Sequence, residues 1–349
     1  MSHKFKAICM KVMIISTFLQ IFQPLWSQVN FSELDANLER NKKLLGNNFA
    51  VMVWKDTMIH KKEMGEYNSK TAAPIGSASK WLTTALVMVF VDEGKLSLDD
   101  KITKWLPEYA KYAKNYITIR YCLSNFTGIQ QDDKFLTKMF EKKKFESLEQ
   151  EVNSYAAREI QSNPGTEYRF SDFGFNIAGR ILEIISKRRF DILARQKLFV
   201  PIGMRRTTFT DMNGGVVDPA GGAQSTGDDY IRFLAMLLNK GKAGDKQVLS
   251  EKSVDEMMGI MATPDKMKFF PKMMQGHSYA LGSWALDADG GGKGTVFACP
   301  GLMGVWASID YCRKYACFVI PKAPIDDEKG NGSSIVKASL DELFASGCK

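Results

Sequence analysis

PIGSASKWLTTAL (residues 74–86) places a serine and a lysine three positions apart where a loop runs into an apolar helix. Residues i and i+3 share a helix face, so Lys80 is expected beside Ser77, within proton-transfer reach. A serine hydroxyl is a poor nucleophile until a base takes its proton. Burial disfavours a charged ammonium, and the residues from Trp81 to Val91 are apolar on nearly every side, which brings a neutral lysine base within reach. The competing reading is structural: serine is a favoured helix N-cap because its oxygen accepts a bond from a free N–H. Spacing alone does not choose between the two. The same Ser-x-x-Lys pattern recurs at Ser334/Lys337 and Ser346/Lys349, in a surface-type helix and at the chain end.

Working outward, the chain has 349 residues, 45% hydrophobic and 25% charged, enough for a sizeable core. Lys4, Lys6 and Lys11 precede an apolar run over 12–26, and Ser27 offers a small residue before cleavage. Residues 1–27 therefore read as an export signal, with delivery to the periplasm or medium. An uncleaved membrane anchor is the alternative. Removing them takes three of 47 basic residues and leaves 44 against 39 acidic ones, a mildly basic protein. The runs Lys142–Lys144 and Lys187–Arg189 read as solvated faces, not as a nucleic-acid patch. Cys122, Cys299, Cys312, Cys317 and Cys348 would remain, too few for a disulfide scaffold. Cys312 and Cys317 flank a turn and are candidates for a bridge. Three histidines, His3, His60 and His277, with no HExxH or CxxC spacing, argue against a metal site.

The pattern of elements gives an architecture. After a helix near 31–46, NNFAVMVWKD and TMIHKKEMGEY read as two strands joined by a tight turn. The helix opening at Ser77 should end at Gly94. Helical pattern dominates the middle, and strand pattern returns in YALGSWALD, GTVFACPG, MGVWASID and YACFVIP before a last amphipathic helix. The reading is an α/β (α+β) fold within residues 28–349: one antiparallel sheet flanked by helices. An α/β lobe from about 28–105 and 276–349 would enclose a helical lobe of about 106–275, with a cleft between them.

A different serine mechanism is testable on the sequence. GHSYA (276–280) has the form of a nucleophile elbow, but no histidine follows Ser278 as that fold's triad order requires. AQSTG (223–227) could use only His277, and its flanks read better as a helix capped by Thr226 and Asp229.

The flanks of Ser77 carry more than the dyad. GSASKWLTTALVMVFVDEGKLSLDDKITKWLPEY (76–109) followed by ITIRYCLSNFTGI (117–129) resembles the serine beta-lactamase-like family. That family includes class C beta-lactamases, D-alanyl-D-alanine carboxypeptidases and related esterases. The resemblance continues, in the family's order, through NPGTEYRFSDFGFNIAGRILE (163–183), LFVPIGMRRTTF (198–209), AGGAQSTGDDYIRFLAMLLNKG (220–241) and FACPGLMGVWASID (297–310). It implies a beta-lactamase/transpeptidase-like fold, Ser77 as the acylated nucleophile and Lys80 as its proton partner.

Two motifs depart from the family pattern. The usual Tyr-x-Asn, counted from Pro164, falls on Phe170-Ser171-Asp172, and a phenylalanine ring carries no proton. Ser171 or Tyr168 are the hydroxyls nearby that could substitute. The usual Lys-Thr-Gly or His-x-Gly aligns with Cys299-Pro300-Gly301, which lacks the cation. Gly301 would let a substrate approach the strand, and the N–H groups of Ser77 and Leu302 would form the oxyanion hole. Cys299 reads as a plain strand cysteine, and Asn125, where many relatives have histidine, as a structural position. The expected activity is hydrolysis of an ester, amide or D-amino-acid peptide by an exported monomer, without metal or cofactor. The alternative is a family member that only binds ligands such as cell-wall peptides.

Overall fold

The computed structural model describes residues 29–130, 145–209, 215–301, 304–322 and 332–345. The candidate signal at 1–27, the lysines at 142–144, Leu302 and Cys348 lie outside the described residues. Helices α1 (Ser32–Arg40), α2 (Ser79–Asp92), α3 (Ile119–Leu123), α4 (Leu148–Ala156), α5 (Phe173–Ser186), α6 (Phe190–Ala194), α7 (Val200–Ile202), α8 (Gly227–Leu238), α9 (Glu251–Met257) and α10 (Gly332–Leu343) follow in chain order.

Strands β1 (Phe49–Lys55) and β2 (Thr57–Met64) meet at Asp56, whose positive φ of 63° makes the tight turn. Short strands β3 (Ala73–Pro74), β4 (Tyr168–Arg169), β5 (Gln224–Ser225), β6 (Lys242–Ala243), β7 (Lys246–Gln247) and β8 (Met267–Phe269) stand outside the main sheet. The sheet is completed by β9 (Ser278–Tyr279), β10 (Trp284–Ala288), β11 (Gly294–Ala298), β12 (Trp306–Asp310) and β13 (Tyr315–Pro321). Its seven strands run antiparallel in the order β2-β1-β13-β12-β11-β10-β9, so both chain ends build one sheet.

Successive strand residues point to opposite faces, and here both faces are covered. Phe49, Val51, Val53, Cys317 and Val319 pack under the terminal helices with Leu34, Leu38, Val336 and Leu340. Ala50, Met52, Ala316, Phe318 and Ile320 face the other way, into the main core with Trp81, Leu82 and Leu86 of α2. Helix α2 is buried from Ser79 through Phe90, as an all-round apolar sequence requires. It ends at Gly94, which takes φ 67°. Helix α8 belongs by sequence to the segment expected to form the helical lobe, yet it lies on the sheet. Its apolar positions Tyr230, Phe233, Leu234 and Leu237 fall on one face, and Tyr230 stacks on Phe318 with ring centroids 4.4 Å apart. No helix among the described residues is long and apolar enough to cross a membrane.

The candidate Cys312–Cys317 bridge does not form. Cys317 is free and buried in β13, opposite Ser308, on the face beneath the terminal helices. Cys312, in the turn before that strand, is disulfide-bonded elsewhere. Cys122 and Cys299 are also free and buried. Maleimide added to the denatured, unreduced protein should therefore mark Cys122, Cys299 and Cys317 and spare Cys312. Peptide mapping that found Cys312 labelled would contradict this pairing.

Candidate active site

Strand β3 pairs with β5, and from it the chain turns into a single 3-10 turn, Gly76–Ala78, that runs straight into α2. Gly76 has φ 52°, a conformation that side chains disfavour. Ser77 sits in this turn, and its side chain caps neither the turn nor the helix. The capping explanation for this serine therefore has no support in the geometry. Ser79 anchors the turn instead: its hydroxyl donates to Gly76 O at 2.6 Å and accepts from Ala223 N at 3.0 Å. The Tyr230 hydroxyl donates to Ala78 O at 2.8 Å, and Ile75 N donates to Ala223 O at 3.0 Å. The segment 219–223 thus lies along the start of α2 and fixes the serine's backbone.

Lys80 lies one helical step on, its side chain 1% exposed. Its Nζ is 3.4 Å from Ser77 Oγ, 3.1 Å from Ala220 O and 2.7 Å from Asp172 Oδ1. The rings of Phe170 and Phe175 flank it, with centroids at 4.9 and 5.5 Å. The lysine that the sequence places in an apolar helix is buried as one half of an ion pair. A buried ammonium without a partner is costly, and Asp172 supplies the compensating charge.

Asp172 reaches Lys80 because of how α5 begins. It occupies the N-cap position of that helix, but its carboxylate makes no cap bond and turns to the lysine. Asn125, in the left-handed conformation at φ 60°, grips this junction: its backbone O accepts from Arg169 N and its Oδ1 from Ser171 N, both at 3.0 Å. The structural role expected of Asn125 is thus to hold the Phe170-Ser171-Asp172 segment in place. Phe170 is buried and packs near Trp284, ring centroids 6.2 Å apart.

Neither candidate hydroxyl reaches the dyad. Tyr168 is fully buried among Phe126, Tyr279 and Trp284, and its hydroxyl bonds neither Ser77 nor Lys80. Burial also holds its proton far above the usual phenol range. Ser171 is buried rather than in a surface turn, and its hydrogen bond runs from its backbone to Asn125.

At the third motif, Cys299 Sγ lies 3.2 Å from Ser77 O and 3.3 Å from Gly282 O, so its one S–H is shared between two carbonyls and ties the end of β11 to the serine's turn. Burial pushes its thiol up to about 12, against the pull of the nearby Lys80 charge, so it stays protonated. Gly301 is required by packing against protein: a Cβ there would stand 2.4 Å from Ile75 O. The close approach is made by the loop before Ser77. Leu302, the other expected oxyanion donor, lies outside the described residues.

Of the two elbow-like serines, Ser278 lies in β9, paired with Ala285. Ser225 shares a hydrogen bond with Thr207 at 2.8 Å, and Thr226 caps α8 by accepting from Asp229 N at 3.1 Å. His60 stacks on Phe31 and bonds Asp35, on the terminal-helix side of the sheet. No group of three or more His, Cys, Asp or Glu among the described residues could hold a metal ion.

A family model described as Beta-lactamase matches residues 42–320, most of the chain. The protein belongs to the beta-lactamase family. Members of this family and fold are serine hydrolases acting on small-molecule or peptide substrates. Penicillin-binding protein 4 of Amycolatopsis lactamdurans is 26% identical over 274 residues, 67% of this chain and 71% of that protein. Among solved structures, a putative beta-lactamase from Bacteroides dorei superposes with a TM-score of 0.80 at 24% identity, covering 91% of this chain and 99% of that one. EstCE1, described as a hydrolase with promiscuous acyltransferase activity, gives 0.75 at 15% identity over 88% and 97% of the two chains. These likenesses establish the beta-lactamase/transpeptidase fold.

Proposed function

We propose that this protein is an exported serine hydrolase that acts as a monomer through an acyl-enzyme on Ser77, with Lys80 as its proton partner. Its substrate is an ester, amide or D-amino-acid peptide. The observation that carries this reading is Lys80 Nζ held 3.4 Å from a Ser77 hydroxyl that caps no helix, inside a chain of this family. The Ser77 and Leu302 N–H groups are the oxyanion donors of this reading, since a tetrahedral intermediate needs two donors aimed at its oxygen. The test is covalent capture. Incubation with a fluorophosphonate or a penicillin should add the expected mass to the peptide carrying Ser77, and Ser77→Ala should remove it. If several probe classes leave Ser77 unmodified, the reading fails.

A second reading, a binder of cell-wall peptides without turnover, draws on one observation. No tyrosine or second serine hydroxyl bonds Ser77 or Lys80 among the described residues, and the resemblance implies Phe170 at the place of the family's tyrosine. The two readings separate on a p-nitrophenyl ester. Turnover by the wild type equal to that of Phe170→Tyr, with Ser77→Ala inert, excludes binding alone.

A further inference from the structure

We propose that Asp172 is the terminal acceptor of the Ser77 proton, reached through Lys80, and so takes the place of the missing tyrosine. The inference rests on Ser77 being acylated. Its grounds are the contacts of the Lys80 amine, which touches Ser77 Oγ, Asp172 Oδ1 and Ala220 O. As an ammonium paired with a carboxylate, Lys80 has three N–H groups and three acceptors, with no lone pair facing Ser77. A proton arriving from the serine must then push another out. Asp172, at 2.7 Å, is the base in contact to receive it, whereas Ala220 O is an amide oxygen. The carboxylate is also free for this task, because it gives up the N-cap bond its position offers.

The step balances. Ser77 Oγ bonds the substrate carbonyl carbon, and the C=O pair moves onto oxygen. The serine proton passes to Lys80 as Lys80 releases one to Asp172, so lysine remains an ammonium and the carboxylate becomes a carboxylic acid. On collapse the pair returns, the bond to the leaving group breaks, and the proton runs back through Lys80 to the departing atom. Water then attacks the acyl carbon by the same route, and Ser77 recovers its proton as it leaves.

The groups facing the Lys80–Asp172 pair are Tyr155 on α4, Tyr279 on β9 and Cys299 after β11, with Arg158 set over the Phe173 ring. Tyr155 bonds the buried Glu151 at 2.6 Å. Burial keeps both tyrosines protonated and Cys299 a thiol.

Fluorophosphonate labelling tests this, since fluoride leaves without a proton and the rate reads only the activation of Ser77. Asp172→Asn should slow labelling about 100-fold or more, within the range of general-base effects. The form of the pH–rate profile should change with it, because the group that takes up the serine proton is gone. Asp172→Glu should keep the wild-type form of the profile and label faster than Asp172→Asn, and it serves as the second variant should the amide fold poorly. If Lys80 alone is the base, Asp172→Asn labels as fast as the wild type or faster at neutral pH, and the proposal is overturned. A wild type that takes no label at Ser77 overturns the acyl-enzyme reading, and the relay falls with it.

Discussion

Lys80→Met is expected to leave a folded protein whose Ser77 no longer reacts. Methionine matches the lysine stem as far as Cε, between Phe170 and Phe175, but lacks the amine and so neither accepts nor passes a proton. Labelling of Ser77 by a fluorophosphonate should fall about 10³-fold, a loss on the scale that positioned bases contribute. Stability should fall as well, for a separate reason. The Asp172 carboxylate would stand beside α2 without its cation, and breaking a fully buried pair costs about 3–5 kcal/mol. Solvent reaches 17% of the Asp172 side chain, so about 2–3 kcal/mol is the better expectation here. The double variant Lys80→Met/Asp172→Asn separates the two effects: urea unfolding should recover most of the stability, while labelling stays absent. Labelling of Lys80→Met within tenfold of the wild type would remove lysine from the mechanism.

Much of the fold was legible because it rests on short-range pattern. The two opening strands, the four late strand segments and the all-round apolar helix follow from periodicity and turn residues. The placement of α8 was harder to read. Its amphipathic face says that it packs on something, but the contact of Tyr230 with Phe318 joins residues 88 positions apart. Local pattern carries no information about which surface a helix chooses.

The site divides in the same way. Ser77 and Lys80 are neighbours on one helix, so their proximity follows from helix geometry. The Lys80–Asp172 pair spans 92 positions and depends on Asn125 and on the start of α5 for its shape. A signal was nonetheless present: a lysine in an all-apolar helix needs an acid, and Asp172 is the acid within the second motif. The sequence also pointed to Ser171 and Tyr168 as substitutes for the missing hydroxyl. That expectation looked for a like-for-like replacement, whereas the contacts of Lys80 are to a carboxylate, a carbonyl and the serine.

Gly301→Ala is expected to damage both the fold and the site. The added Cβ would meet Ile75 O at 2.4 Å and the Val305 Cβ at 3.2 Å, and the first of these is backbone that cannot rotate away. Ile75 is in turn fixed by its N–H bond to Ala223 O and leads directly into the turn that holds Ser77. The strand end or the serine's loop must therefore shift. Overpacking of this kind costs about 1–3 kcal/mol, read as a lower urea midpoint. Because a displacement of about 1 Å near reacting groups can cost a hundredfold in rate, Ser77 labelling should slow about 10- to 100-fold well below the melting temperature. Gly290→Ala is the matched control: a Cβ there meets nothing within 4 Å, so midpoint and labelling rate should stay unchanged. If Gly301 serves only to admit a substrate, Gly301→Ala keeps its full stability and loses only turnover of bulky esters. That result would break the link between the end of β11 and the position of Ser77.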